Sequence, residues 1–145
     1  MLRIITLFTL LFAGLVQAEN ATQSGAYTIH HNAFTSDNLP PQVAQAYGIQ
    51  RSTSRGMLNI SVIRDKPGST GGEPLSARIA LQARNLIGQK RADIQLREVR
   101  EQNAIYYIAD FPVAHREHLI FDLEVIPAGE TKALRARLEQ EFYTR

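Results

Sequence analysis

Leu75-Ser76-Ala77-Arg78-Ile79-Ala80-Leu81-Gln82-Ala83-Arg84 decides the fold class. Leu75, Ala77, Ile79, Leu81 and Ala83 fall on one side of an extended chain, and Ser76, Arg78, Gln82 and Arg84 on the other. A helix would scatter those apolar residues round its circumference. A strand sends successive side chains to opposite faces and so gathers them on one. A strand with one dry and one wet face belongs to an antiparallel sheet backed by a core.

The same pattern extends outward in both directions. Upstream, residues 57–64 place Leu58, Ile60 and Val62 against Asn59 and Ser61, and residues 27–34 are rich in strand formers. Residues 65–74 (Asp-Lys-Pro-Gly-Ser-Thr-Gly-Gly-Glu-Pro) have loop composition. Pro40-Pro41 before residues 42–47, with Gly48 after them, predicts one short helix near the start. Residues 49–54 read as a short edge strand.

Downstream, residues 92–100 read as a strand with Ile94 and Leu96 inward. Residues 104–113 form the most apolar strand, expected at the centre, and residues 119–126 alternate again. Residues 132–143 fit both a helical stripe and an alternation. The strand is the better reading, because a short turn at 127–130 after a half-buried strand is a hairpin signal. Seven to eight short strands with turns every 8 to 12 residues predict an all-β fold, an antiparallel β-sandwich of immunoglobulin-like type.

The N-terminus has a different character. Met1-Leu2-Arg3 carries a positive charge, residues 4–16 are largely apolar, and Val16-Gln17-Ala18 has a small-x-small shape. That is the layout of a cleavable signal peptide over 1–18, cut after Ala18. The apolar run of 13 residues is shorter than the about 20 that a spanning helix needs. A flexible leader over 19–25 and a single domain over 26–145 follow. The expected location is periplasmic, with no stable membrane span after cleavage.

Removal of Arg3 lowers the formal net charge from +2 to +1. A near-neutral chain without a Lys/Arg tract offers nucleic acid no electrostatic footprint. Cys is absent, which excludes thiol catalysis, thiolate metal sites and a lipid-modified N-terminal cysteine. No Gly-x-Ser-x-Gly elbow or phosphate loop occurs, and no cofactor is implied.

Several segments read as family wording: His31-Asn32-Ala33-Phe34, Leu39-Pro40-Pro41, Ala46-Tyr47-Gly48-Ile49, Asn59-Ile60-Ser61-Val62 and Ala83-Arg84-Asn85-Leu86-Ile87-Gly88-Gln89. Residues 97–109 and Gln140-Glu141-Phe142-Tyr143 complete the set. Together, over about Tyr27 to Tyr143, they resemble domain-of-unknown-function family 4426, small exported bacterial proteins. The resemblance implies a β-rich fold and a periplasmic location in Gram-negative bacteria. It implies no activity, and transfers no functional residue.

Two constellations carry what chemistry there is. His115 and His118, three residues apart in an expected turn, could share copper or zinc if His31, Met57 or Asp110 supplied a third ligand. Arg97, Glu98, Arg100 and Glu101 form the densest polar cluster, and Tyr106 or Tyr107 must face outward beside it. A salt-bridged hairpin end that recognises a polar partner suits this cluster better than acid–base chemistry. The leading expectation is a non-enzymatic binding module for a periplasmic protein or an envelope component. The alternatives are a copper- or zinc-binding protein that uses the surface histidines, and an envelope enzyme that uses Glu98 or Glu101.

Overall fold

In the computed structural model, residues 20–145 are described. The signal peptide expected over 1–18 lies outside them. The described residues hold nine strands and one α-helix in this order: β1 (Ala21–Ser24), β2 (Tyr27–Thr35), α1 (Pro41–Tyr47), β3 (Arg55–Asp65), β4 (Gly72–Leu75), β5 (Ala77–Asn85), β6 (Arg97–Glu101), β7 (Ala104–Pro112), β8 (Glu117–Pro127) and β9 (Leu134–Phe142). Every pairing is antiparallel. The first sheet runs β1-β2-β3-β7-β6, with β4 also on β3, and the second runs β5-β8-β9.

The inward rows of the two sheets make one core. Ile29, Leu58, Ile60 and Phe111 come from the first sheet, and Phe121, Leu123, Leu138 and Phe142 from the second. The Phe111 ring lies 5.9 Å from Phe121 and 5.8 Å from Phe142, tilted or edge-on in the geometry aromatic quadrupoles prefer. Each fully buried side chain of this size stabilises the fold by about 1.5–3 kcal/mol. The sandwich expected from the alternation is therefore what the chain builds, and residues 132–143 do supply a strand, β9, rather than a helix.

The deciding stretch proves to be two strands. Leu75 ends β4 in the first sheet and Ala77 begins β5 in the second, so the chain changes sheet at Ser76. The Ser76 carbonyl accepts from Ala128 N (2.8 Å), and Ala77 N donates to the Tyr107 hydroxyl (2.8 Å), which ties the crossing to both sheets.

Local expectations are corrected elsewhere. Part of the 65–74 loop pairs as β4, where a Cβ on Gly72 would collide with Ile63 and the Arg64 carbonyl. Within the expected leader, Ala21–Ser24 pairs with β2 as β1. Residues 49–54 form no strand. The buried Ser36 hydroxyl donates to Gln50 O (2.7 Å) and accepts from Ser52 N (2.9 Å), so a side chain takes the place of a ladder. Residues 92–96 turn instead of extending, with Arg91 gripping Asp93 and Ile94 N bonded to Arg91 O. Ile94 is nonetheless buried.

Candidate interaction surface

The polar cluster lies on β6, an edge strand paired only to β7. Alternation splits it between faces. Arg97, Val99 and Glu101 share the outer face with Tyr106 and Ile108, while Glu98 shares the inner side with Tyr107. On the outer face, α1 packs down through Ala44, and Ile49, Met57 and Ile108 are buried beneath it with Tyr47, Val99 and Tyr106 at the margin.

The charges brace that packing. Arg97 donates to the Tyr47 carbonyl, and the Tyr47 hydroxyl donates to Glu101. The Glu101 hydrogen bond pushes the Tyr47 hydroxyl up to about 12. Glu98 accepts from Arg100, and from the Tyr107 hydroxyl at 3.3 Å. Burial raises the Tyr107 pKa. The residues expected to meet a partner thus also bond within the protein, while Arg97, Glu98, Arg100 and Glu101 stay exposed and a half-buried Tyr106 flanks the helix.

The histidines are likewise placed apart in role. His115 lies in the turn before β8, where its Nδ1 accepts from Thr144 N (3.1 Å) and its ring meets Tyr143 edge-on at 5.9 Å. His118 lies within β8, and its Nε2 sits 3.2 Å from Glu139 Oε2. Among the described residues no group of three or more His, Cys, Asp or Glu is placed to hold a metal ion. The residues considered as third ligands have other surroundings. His31 is buried beside the Thr22 hydroxyl (2.9 Å), Met57 lies under α1, and Asp110 pairs with Arg55 (2.6 Å).

What stands out was not read from the sequence. The large hydrophobic side chains left exposed among the described residues are Leu86 (64%), Ile87 (80%) and Tyr143 (54%). All three lie at one end of the second sheet. The register lines Asn85 of β5 with Leu119 of β8 and Gln140 of β9, and Glu117 with Phe142. At the spacing of neighbouring strands, the Leu86–Ile87 turn and the end of β9 are about 10 Å apart.

Asn85 holds that turn rigid. Its Oδ1 accepts from Ile87 N (3.2 Å) and Gln89 N (2.9 Å), and its Nδ2 donates to Gln89 Oε1 (2.8 Å). Its backbone N–H donates to Gln89 O (3.0 Å), and its carbonyl accepts from Gly88 N (3.1 Å). Gly88 sits at φ 84, where a side chain would be strained. An Asn followed three residues later by Gly is the sequence signal for such an Asx turn, and two bulky aliphatic residues inside it mark the exposure.

The model of a domain of unknown function, DUF4426, matches residues 21–145. The chain belongs to the DUF4426 family. A DUF4426 family protein from Pseudomonas aeruginosa PAO1 has a crystal structure with a TM-score of 0.72 and 32% identity, covering 90% of this chain and 98% of that one. FetP of uropathogenic E. coli strain F11 is similar in fold alone, with a TM-score of 0.56 and 11% identity over 86% of this chain and 93% of its own. The search of curated proteins returned no match. DUF4426 denotes a domain of unknown function. No helix among its described residues is long and apolar enough to cross a membrane.

Proposed function

We propose that this DUF4426 protein is an exported, non-enzymatic binding module of the periplasm that docks onto a protein or another envelope component through the Leu86–Ile87 end of its second sheet. The observation that carries the reading is the gathering at one end of the second sheet of Leu86, Ile87 and Tyr143, the large hydrophobic side chains left exposed among the described residues. Exposed apolar groups set on a rigid frame favour contact, because little ordering entropy is lost when they are buried. The three-part N-terminus supports export. The fold neighbour FetP was expressed in the periplasm, which is compatible with the same compartment.

A photo-crosslinking residue at position 87, compared in living cells with one at position 132, tests the docking end. Adducts at 87 and none at 132 are expected. Equal labelling, or none at either position, would sink the reading. Osmotic-shock fractionation of the same cells tests export, with a chain that begins at Glu19 expected in the periplasmic fraction.

A further inference from the structure

A different part of the surface carries a second interaction, which does not depend on the Leu86–Ile87 end. We infer that two copies of this chain pair edge to edge through β5, antiparallel about Ala80, so that their second sheets join into one.

Backbone hydrogen bonding locates the site. β5 is an edge strand whose strand partner is β8 alone. The Ser76 carbonyl accepts from Ala128 N on the β8 side, so residues 78, 80, 82 and 84 bond to β8. Ala77, Ile79, Leu81, Ala83 and Asn85 turn their N–H and C=O groups to the open edge. The chain closes both ends of that edge itself. Ala77 N donates to the Tyr107 hydroxyl (2.8 Å), the Ala83 carbonyl accepts from Arg91 N (2.8 Å), and Asn85 N donates to Gln89 O (3.0 Å). Between those ends, the Ala77 carbonyl, both backbone groups of Ile79 and of Leu81, and the Ala83 N–H have no partner among the described residues. Such an edge is a template for another strand.

The pattern of free groups selects the occupant. About Ala80, Ile79 of one copy faces Leu81 of the other, and Ala77 faces Ala83. The Ile79 N–H then meets the Leu81 carbonyl, the Leu81 N–H meets the Ile79 carbonyl, and the Ala83 N–H meets the Ala77 carbonyl, once in each direction. The remaining facing groups, the Ala77 N–H and the Ala83 carbonyl, are the ones already bonded within each chain. A foreign strand would bring a carbonyl to the first and an N–H to the second, and both would stay unpaired. Slipping the two copies by two residues sets either the Ile79 N–H or the Leu81 carbonyl against an occupied group.

The side chains agree with that register. Ile79 and Leu81 face the core yet are only half-buried, whereas Val125 and Leu123, beside them on β8, are fully buried. In the pair each covers its counterpart. On the outer face Ala80 meets Ala80 and Arg78 meets Gln82, so no like charges lie directly opposite. Residues 77–83 contain no Gly, no Pro and no inward-facing charge, the devices that guard an edge.

The chain has no Cys, so one introduced thiol forms a disulfide only between copies. Facing residues at position 80 form a non-hydrogen-bonded pair with Cα atoms about 4.5 Å apart. That lies within the reach of a disulfide, about 4.4–6.8 Å. Residues 78, 80, 82 and 132 are exposed, so the substitutions leave the core intact. In protein made from the full sequence, Ala80→Cys should oxidise to a covalent dimer and Lys132→Cys should not. Arg78→Cys and Gln82→Cys should each stay uncrosslinked alone and join when mixed, which reads the register.

Sedimentation equilibrium of the unaltered protein should give twice the chain mass. Gln82→Arg, which sets Arg against Arg78 twice, should weaken the dimer by about tenfold. A monomer at every concentration up to the millimolar range overturns the inference. So does a dimer that fails to crosslink at 80, or equal crosslinking at 80 and 132. Capture of a different protein at position 80, without a homodimer, would keep the open edge and remove the second copy as its occupant.

Discussion

The outer face of the first sheet and the free end of the second sheet differ in how their exposed side chains are held. The first holds Arg97, Glu101 and Tyr106, the polar-aromatic mixture of a recognition site, yet α1 lies on it and the charges brace Tyr47. The second is an unremarkable Asn-Leu-Ile-Gly connection, yet it carries the most exposed large hydrophobic side chain among the described residues, Ile87. A charge on a strand edge has two ways to be satisfied, by a partner or by the protein's own helix, and composition does not distinguish them. Leu86 and Ile87, by contrast, stay exposed on their turn.

The largest break in the comparison should come from truncation on each side. Ile108→Ala, beneath α1, should cost about 2–4 kcal/mol in urea unfolding, the usual range for a buried Ile. Ile87→Ala should change stability by less than about 0.5 kcal/mol. Equal losses at the two positions would mean the tip is packed against something and the contrast is wrong.

Acid sharpens it from another direction. Burial holds the His31 pKa below its ordinary 6.5, aided by the charge of His30 and opposed by a backbone hydrogen bond. The folded protein therefore prefers neutral His31, while the unfolded chain takes up the proton near pH 6.5. Stability from this group is complete above that pH and is lost progressively as pH falls toward the lowered folded value. Hydrogen exchange should show β1 and β2 loosening before β8 and β9. His31→Gln should flatten the slope of unfolding free energy below pH 6.5, and an unaltered slope would show that another group carries it.

Smaller effects concern the two braces. Asn85→Ala removes both Oδ1 bonds of the turn and should cost about 1 kcal/mol, with faster amide exchange at Ile87 and Gln89. Glu101→Gln keeps an acceptor for Tyr47 but removes its charge. It should cost less than about 1 kcal/mol and raise exchange in α1 alone, and exchange that rises across β6 and β7 as well would show that Glu101 braces the sheet rather than the helix.

Much of this protein was legible in its sequence. Period-two alternation named the sandwich, because a side chain's face is fixed by its neighbours along one strand. Residues 132–143 were correctly read as strand for the same local reason, and Pro41 and Gly48 bracket α1 as their backbone preferences require. The family wording led to the family the chain belongs to. Tertiary structure decided the rest. The alternation of residues 75–84 cannot reveal a change of sheet at Ser76, since both sheets face one core and the inward face stays the same on either side of it. Nor can it say which charged edge a helix covers, or which loop stays bare. Those outcomes depend on contacts such as Tyr47 with Glu101, 54 residues apart, and on the alignment of Asn85, Leu119 and Gln140 across three strands.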